Sequence, residues 1–154
     1  MCIRDSFEIV RTDSLSIAFG GTSGNPVSGK FPDLPLYRDD GSANDTMVAA
    51  FAAISGQTVN IADAYVAKGF DFSGTRNFDE RTGYRSQSFL TVPMRNHEGE
   101  IIGVLQLINA HMPEHGVVVP FSEADQRLAE SLASQAAIAP VSYTHLTLPT
   151  SDLV

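Results

Sequence analysis

Apolar and polar positions divide the chain into short alternating runs and two helical stretches. Phe7 to Val10 and Leu15 to Phe19 are β-favourable runs separated by the polar RTDS, a pattern that predicts a hairpin. Gly20 to Asp40 follows, with four glycines and three prolines in twenty-one residues, and reads as a long loop with a short extended stretch around Leu34 to Tyr37. Met47, Val48, Phe51 and Ile54 recur at helical spacing, so a helix is expected from a cap at Asn44 or Asp45 through Ser55, ended by Gly56. Thr58 to Ile61 predicts a brief strand. From Asp63 to Ser86 the chain is polar with scattered aromatics, which suggests short helical turns joined by loops across one face of a sheet.

Ser88 to Met94 and Glu100 to Asn109 then predict two strands joined by a turn at RNHEG. The second is apolar on both faces: Ile102, Val104 and Ile108 on one, Ile101, Leu105 and Leu107 on the other. Such a strand must be covered on both sides, which puts it centrally in a layered domain. Gly103 leaves room there for a close neighbour. His111 to Pro120 reads as a loop turning at Gly116. A final helix is expected to begin at Ser122, with Asp125 as capping-box partner and Leu128, Leu132 and Ile138 as its apolar stripe.

The 154 residues and 43% hydrophobic content suit one domain with a real core. A formal charge of −8 and scattered basic residues argue against nucleic-acid binding. The longest apolar run, Met47 to Ile54, is eight residues, too short for membrane insertion. No secretory signal is evident, so the expected location is cytoplasmic. Cys2 is the only cysteine, which leaves no intrachain disulfide and no cysteine-based zinc site. MCIRDS and VSYTHLTLPTSDLV do not continue the patterns beside them and resemble translated sequencing adapter. The expectation is therefore artefactual tails at 1–6 and 140–154 around a domain at 7–139.

SQSFLTVPM, a polar turn, GEIIGVLQLINA and a Pro-Phe-Ser-x-x-Asp helix start together resemble the second half of a GAF domain. That resemblance implies an α+β fold, a GAF-like antiparallel sheet of about five to six strands with helices on both faces. It also implies that the family's first helix and strand are absent here, leaving an unpaired sheet edge. Functionally it implies a noncatalytic sensory module of a bacterial signalling protein. Such a module binds a small molecule between sheet and helices and acts on a cyclase, phosphodiesterase, HD-type phosphohydrolase or histidine kinase. Partners would be that unknown ligand and a second copy, forming a homodimer through terminal helices, and no cofactor is implied. The alternative is a structural dimerisation module with a vestigial pocket.

The cavity in GAF domains places Phe72, Asn77, Phe78, Asp79 and Thr91 among the ligand-binding candidates. Asn77 or Asp79 would bond a polar edge above Phe78. Read only as structure, Asn77 caps a helix, Asp79 and Glu80 face its positive end, and Thr91 is β-branched packing. The family's dispersed cyclic-nucleotide pattern adds Asn109, Phe121 and Asp125, but Ala110 and Gln126 stand where it has Lys and Glu. The Lys–Asp ion pair implied by that pattern cannot form with Ala110. Asp125 is equally explained by the capping box, and Phe121 by the core.

Three other motifs lose to simpler readings. GNPVSGKF, Gly24 to Phe31, nearly makes a phosphate loop, but Phe31 replaces the magnesium-binding hydroxyl and FPDLP prevents the following helix. His111 and His115 have a zinc-like spacing interrupted by Pro113 and lack further ligands. The missing thiol also excludes covalent bilin attachment and the cysteine-dependent methionine sulfoxide reductases of the family. Tyr84 and Arg85 read as packing and surface residues.

Overall fold

A computed structural model describes residues 34–138, with side chains to 136, and the strand backbones at 4–5, 9–12 and 17–20. Cys2, the near-phosphate loop at 24–31 and the segment after 138 lie outside the described residues. In chain order the first elements are β1 (Arg4–Asp5), β2 (Ile9–Thr12), β3 (Ile17–Gly20), β4 (Leu34–Pro35), α1 (Val48–Ser55) and β5 (Val59–Ile61). They are followed by α2 (Ser73–Thr82), β6 (Phe89–Arg95), β7 (Ile101–Ile108), β8 (Ala110–His111), β9 (Val118–Val119) and α3 (Glu123–Ile138). The arrangement is α+β, and every described strand pair is antiparallel. Among the described residues no helix is long and apolar enough to cross a membrane.

The expected hairpin is present as β2 and β3, with Thr12 opposite Ile17, so part of the polar RTDS joins the ladder. Among the described ladders of the central sheet β6 pairs with β5 on one side and β7 on the other, and β2 and β3 belong to the same sheet. Phe89, Leu90, Thr91 and Val92 are all buried, whereas Ile102 near the start of β7 is 56% exposed. As the two apolar faces of β7 require, it is covered on both sides. Its Ile108 joins a cluster with Val48, Ile61, Phe72 and Phe89, while Leu105 and Leu107 join Leu90, Val92, Ala129 and Ala133. Gly103 faces Met94 across the ladder, and a Cβ there would come 2.6 Å from the Met94 methyl. Pro93 falls beyond the end of β5, which pairs only with Phe89 to Thr91, so no ladder partner needs its missing donor.

Helices cover both faces. α1 and the chain entering α2 lie on the side of Phe89 and Thr91; α3 lies on the side of Leu90 and Val92. α1 ends as expected, with Gly56 at φ 70° donating its N–H to the Ala52 carbonyl. Its start differs. Met47 occupies the cap without a side-chain hydrogen bond, because Asn44 is committed elsewhere, donating from Nδ2 to the Pro35 carbonyl at 2.8 Å. Asp45 instead pairs with Arg38 at 3.1 Å on the surface.

α2 is a ten-residue helix where only short turns were expected. It begins four positions before Asn77, because the Asp71 carboxylate accepts the Ser73 N–H at 2.9 Å and so fixes the first turn. That bond holds the Asp71 carboxyl below its ordinary range. Asn77 is therefore an exposed mid-helix residue rather than a cap, and Asp79 and Glu80 sit in the second half of the helix, away from its positive end.

The loop after β7 contains a two-residue ladder, Ala110 and His111 opposite Val119 and Val118, before α3. The capping box of α3 is present. Asp125 N–H donates to Ser122 Oγ at 3.1 Å, and Ser122 N–H donates to Asp125 Oδ2 at 3.0 Å. The most buried positions of α3 are Ala129 and Ala133; of the expected stripe, Leu128 is 62% exposed, Leu132 is half-buried, and the Ile138 side chain lies outside the described residues. Small side chains let the helix approach β6 closely, and Leu90 and Val92 supply the bulk.

Candidate functional site

Buried polar groups lie on and beside the sheet face covered by α1 and the chain entering α2. The face is floored by aromatics: Phe51, Phe70, Phe72 and Phe89 form a chain of ring contacts with centroids 5.4, 6.5 and 5.6 Å apart. Phe72 is a buried member of this cluster. Beside it Thr91, with no exposed surface, accepts a hydrogen bond at 3.0 Å from the amide Nε2 of Gln106 on β7. Thr91 and Gln106 are cross-strand partners, so the pair forms one polar patch on an otherwise apolar floor.

Asp79 is the centre of a second group. It is 4% exposed, and three donors converge on it. Tyr65 O–H and Ser86 N–H reach Oδ2 at 2.6 and 2.8 Å, and Ser86 O–H reaches Oδ1 at 2.8 Å. A buried carboxylate of this kind is tolerated because its lone pairs are engaged. The network ties α2 to the segment entering β6 and fixes the Tyr65 ring. The hydrogen bond to Asp79 raises the Tyr65 phenol above its ordinary value of 10, reinforced by burial and opposed by the nearby guanidiniums of Arg85 and Arg76. Both sit at the Tyr65 ring, their Cζ atoms 4.1 and 5.7 Å from its centroid.

Asn109 organises the end of β7. It is 6% exposed and has φ 63°, a left-handed conformation that asparagine tolerates better than most residues. Its Oδ1 accepts the N–H groups of Gln87 and Ser88 at 2.6 and 3.3 Å, and its Nδ2 donates to the Arg85 carbonyl at 2.8 Å. Thus it splices β7 to the chain entering β6.

The seven sequence candidates are therefore dispersed. Phe72, Asp79 and Thr91 lie on or beside the α1/α2 face, and Phe78 is half-buried on α2 beside Asp79. Asn77 is exposed, Asn109 holds a strand end, and Asp125 caps α3. Ala110 donates its N–H to Ser88 Oγ, and Gln126 accepts from Asn60 Nδ2 at 3.3 Å, so both departures from the cyclic-nucleotide pattern are absorbed into the fold. Gln106, Tyr65 and Ser86 were not singled out from sequence. A polar residue in the middle of LQLI was the available signal for Gln106; the others are joined to Asp79 only by folding.

Among the described residues an opening lies on the α3 face. A cavity of about 220 Å³ lies where β5 stops short of Val92 and Pro93, bounded by Gly56, Arg95, Glu130 and Ser134. Arg95 does not offer its charge freely there, because its guanidinium donates to the carbonyls of Gly99 and Gly56 at 3.0 and 3.1 Å.

The family model described as GAF domain matches residues 22–139. Over 62 residues, 40% of the chain, the sequence is 44% identical to the dual 3',5'-cyclic-AMP and -GMP phosphodiesterase 11A of Takifugu rubripes. Over 86 residues, 56% of the chain, it is 37% identical to the dual 3',5'-cyclic-AMP and -GMP phosphodiesterase 11 of Drosophila melanogaster. These matches span only 6% and 5% of those proteins. A solved structure of the GAF domain is similar at a TM-score of 0.45 and 18% identity, over 86% of this chain and 62% of that one. With the family model matching most of its length, the chain belongs to the GAF domain family.

Proposed function

We propose that this GAF domain is a noncatalytic regulatory module of a cytoplasmic bacterial signalling protein. It takes up a small molecule between the sheet and the α1/α2 layer and passes the signal to an attached cyclase, phosphodiesterase, HD-type phosphohydrolase or histidine kinase. The observation that carries this reading is the family membership, supported by partial likeness to proteins named as cyclic-nucleotide phosphodiesterases. Locally it is supported by the part-buried Thr91–Gln106 pair, a place where hydrogen bonding can select a ligand beside aromatic rings. Phe72 and Phe78 supply apolar contact, with Asp79 and Tyr65 at the side of the same face.

The reading is tested by isothermal titration of the chain with cyclic AMP, cyclic GMP and a panel of metabolites. Saturable binding that Thr91→Val weakens about tenfold supports it. A folded chain that binds nothing in the panel counts against the sensor role.

A dimerisation module with a vestigial pocket is the second reading, and exposed Leu128 on α3 favours it. In that case light scattering finds a dimer at micromolar concentration, and Leu128→Ser dissociates it without loss of folding. A monomer at high concentration rejects this alternative.

A further inference from the structure

The opening at the sheet edge follows from the unequal lengths of two strands. β5 begins at Val59, opposite Thr91, whereas β6 runs on past that point to Arg95. Val92 and Pro93 therefore have no partner in β5. The space beside them is closed by Gly56 at the end of α1, by Thr58, and by Glu130 and Ser134 of α3. At about 220 Å³ the cavity is smaller than the roughly 300–1,000 Å³ of sites for drug-sized molecules, so it suits a metabolite of few heavy atoms.

One cation and one carboxylate line this cavity. Among the described residues neither Arg95 nor Glu130 belongs to an ion pair; the described pairs are Arg38–Asp45 and Arg127–Glu123. The two charges thus share a cavity without neutralising each other. The Arg95 guanidinium is held by the Gly99 and Gly56 carbonyls, but these acceptors carry no formal charge and engage two of its five N–H groups. Among the described residues the Glu130 carboxylate and the hydroxyls of Thr58 and Ser134 enter no hydrogen bond.

We propose that this cavity binds a small free α-amino acid as its zwitterion, with Arg95 taking the carboxylate and Glu130 the ammonium. A simple anion drawn to Arg95 also meets the like charge of Glu130, and a simple cation at Glu130 meets that of Arg95. A ligand carrying both charges is attracted by both walls. Val92 and Pro93 give a short side chain an apolar surface, and the two free hydroxyls can serve its remaining polar atoms. Arg95 and Glu130 are exposed to solvent, so screening keeps the affinity modest. The site stands whether or not the α1/α2 face holds a ligand.

Titration of the whole chain with L-alanine, propionate and ethylammonium at constant ionic strength, followed by backbone amide resonances, tests the proposal. Propionate is alanine without its ammonium, and ethylammonium is alanine without its carboxylate. The expected result is saturable binding of L-alanine with Kd on the order of 1 mM, shifts centred on Thr58, Arg95 and Ser134, and at least about fivefold weaker binding of each single-charge analogue. Arg95→Gln and Glu130→Gln, tested separately so that one folded variant suffices, each weaken alanine binding about tenfold, while Glu123→Gln leaves it unchanged. In Glu130→Gln the preference for alanine over propionate disappears. The proposal is overturned by no saturation in the folded chain, by either analogue binding as tightly as alanine, by full affinity in Glu130→Gln, or by equal loss in Glu123→Gln. Shifts centred on Phe72 and Gln106 also overturn it, by moving the ligand to the α1/α2 face.

Discussion

The two faces of the central sheet are built from the same strands and do different work. On the α3 side, Leu90, Val92, Leu105 and Leu107 meet Ala129 and Ala133, and the contact is apolar. On the α1/α2 side, aromatic rings are interrupted by buried polar groups: Thr91 with Gln106, and Asp79 with Tyr65 and Ser86. Alternation along β6 makes the division, since Phe89 and Thr91 point one way and Leu90 and Val92 the other. An apolar contact secures the fold with non-directional burial. A face with satisfied polar groups holds directional chemistry and becomes costly when one partner is lost. The difference teaches where ligand chemistry can be altered without dissolving the core.

Leu90→Ala should give the largest effect on this comparison. It empties a fully buried site against α3, and chemical denaturation should record a loss of about 4 kcal/mol, with the Tyr65 environment unchanged. A simultaneous change at Tyr65 would mean that the two faces are not separable.

Asp79→Ala should cost about 3 kcal/mol, because it strands the Tyr65 O–H and both Ser86 donors, and it should also shift the Tyr65 resonances. A loss below about 1 kcal/mol would show that water replaces the carboxylate and that the polar face is less closed than described.

Gly56→Ala should cost on the order of 1 kcal/mol by denaturant midpoint. It puts a side chain at φ 70° and displaces the Arg95 guanidinium from the Gly56 carbonyl. Arg95 is the end of a flexible side chain, so most of the cost is backbone conformation. An effect as large as that of Leu90→Ala would make the α1 end, rather than the α3 face, the anchor of the sheet.

The smallest effect is spectroscopic. Tyr65 should ionise later than an ordinary tyrosine when absorbance is followed above pH 10, since its proton is held by Asp79. A folded pKa above the unfolded one means that its contribution is complete below the unfolded value and is lost as pH rises through the folded one. In Asp79→Asn the delay should shrink. An unchanged delay would assign it to burial instead of the hydrogen bond.

Local rules carried much of the fold. Gly56 ended α1, Ser122 and Asp125 capped α3, and alternation located β6 and β7 to within a residue or so. These succeeded because cap, turn and pleat are set by neighbours a few positions away. The misses share a cause. Asn44 looks like a cap until Pro35 takes its amide, and Asn77 looks like one until Asp71 takes the Ser73 N–H. Leu128 looks like core, but its place on α3 turns it outward while the alanines pack. In each case the residue type permitted both roles, and a partner elsewhere chose between them.

By itself, the sequence determined the family block, the antiparallel α+β class and the break in the cyclic-nucleotide pattern at Ala110 and Gln126. Tertiary structure decided what the polar residues do. Asp79, Asn109 and Asp125 are engaged by donors, while Arg76 and Arg85 are left facing one ring. The reason is physical: a hydrogen-bond partner far along the chain leaves no trace in local pattern, whereas burial and capping repeat with the period of the element that holds them.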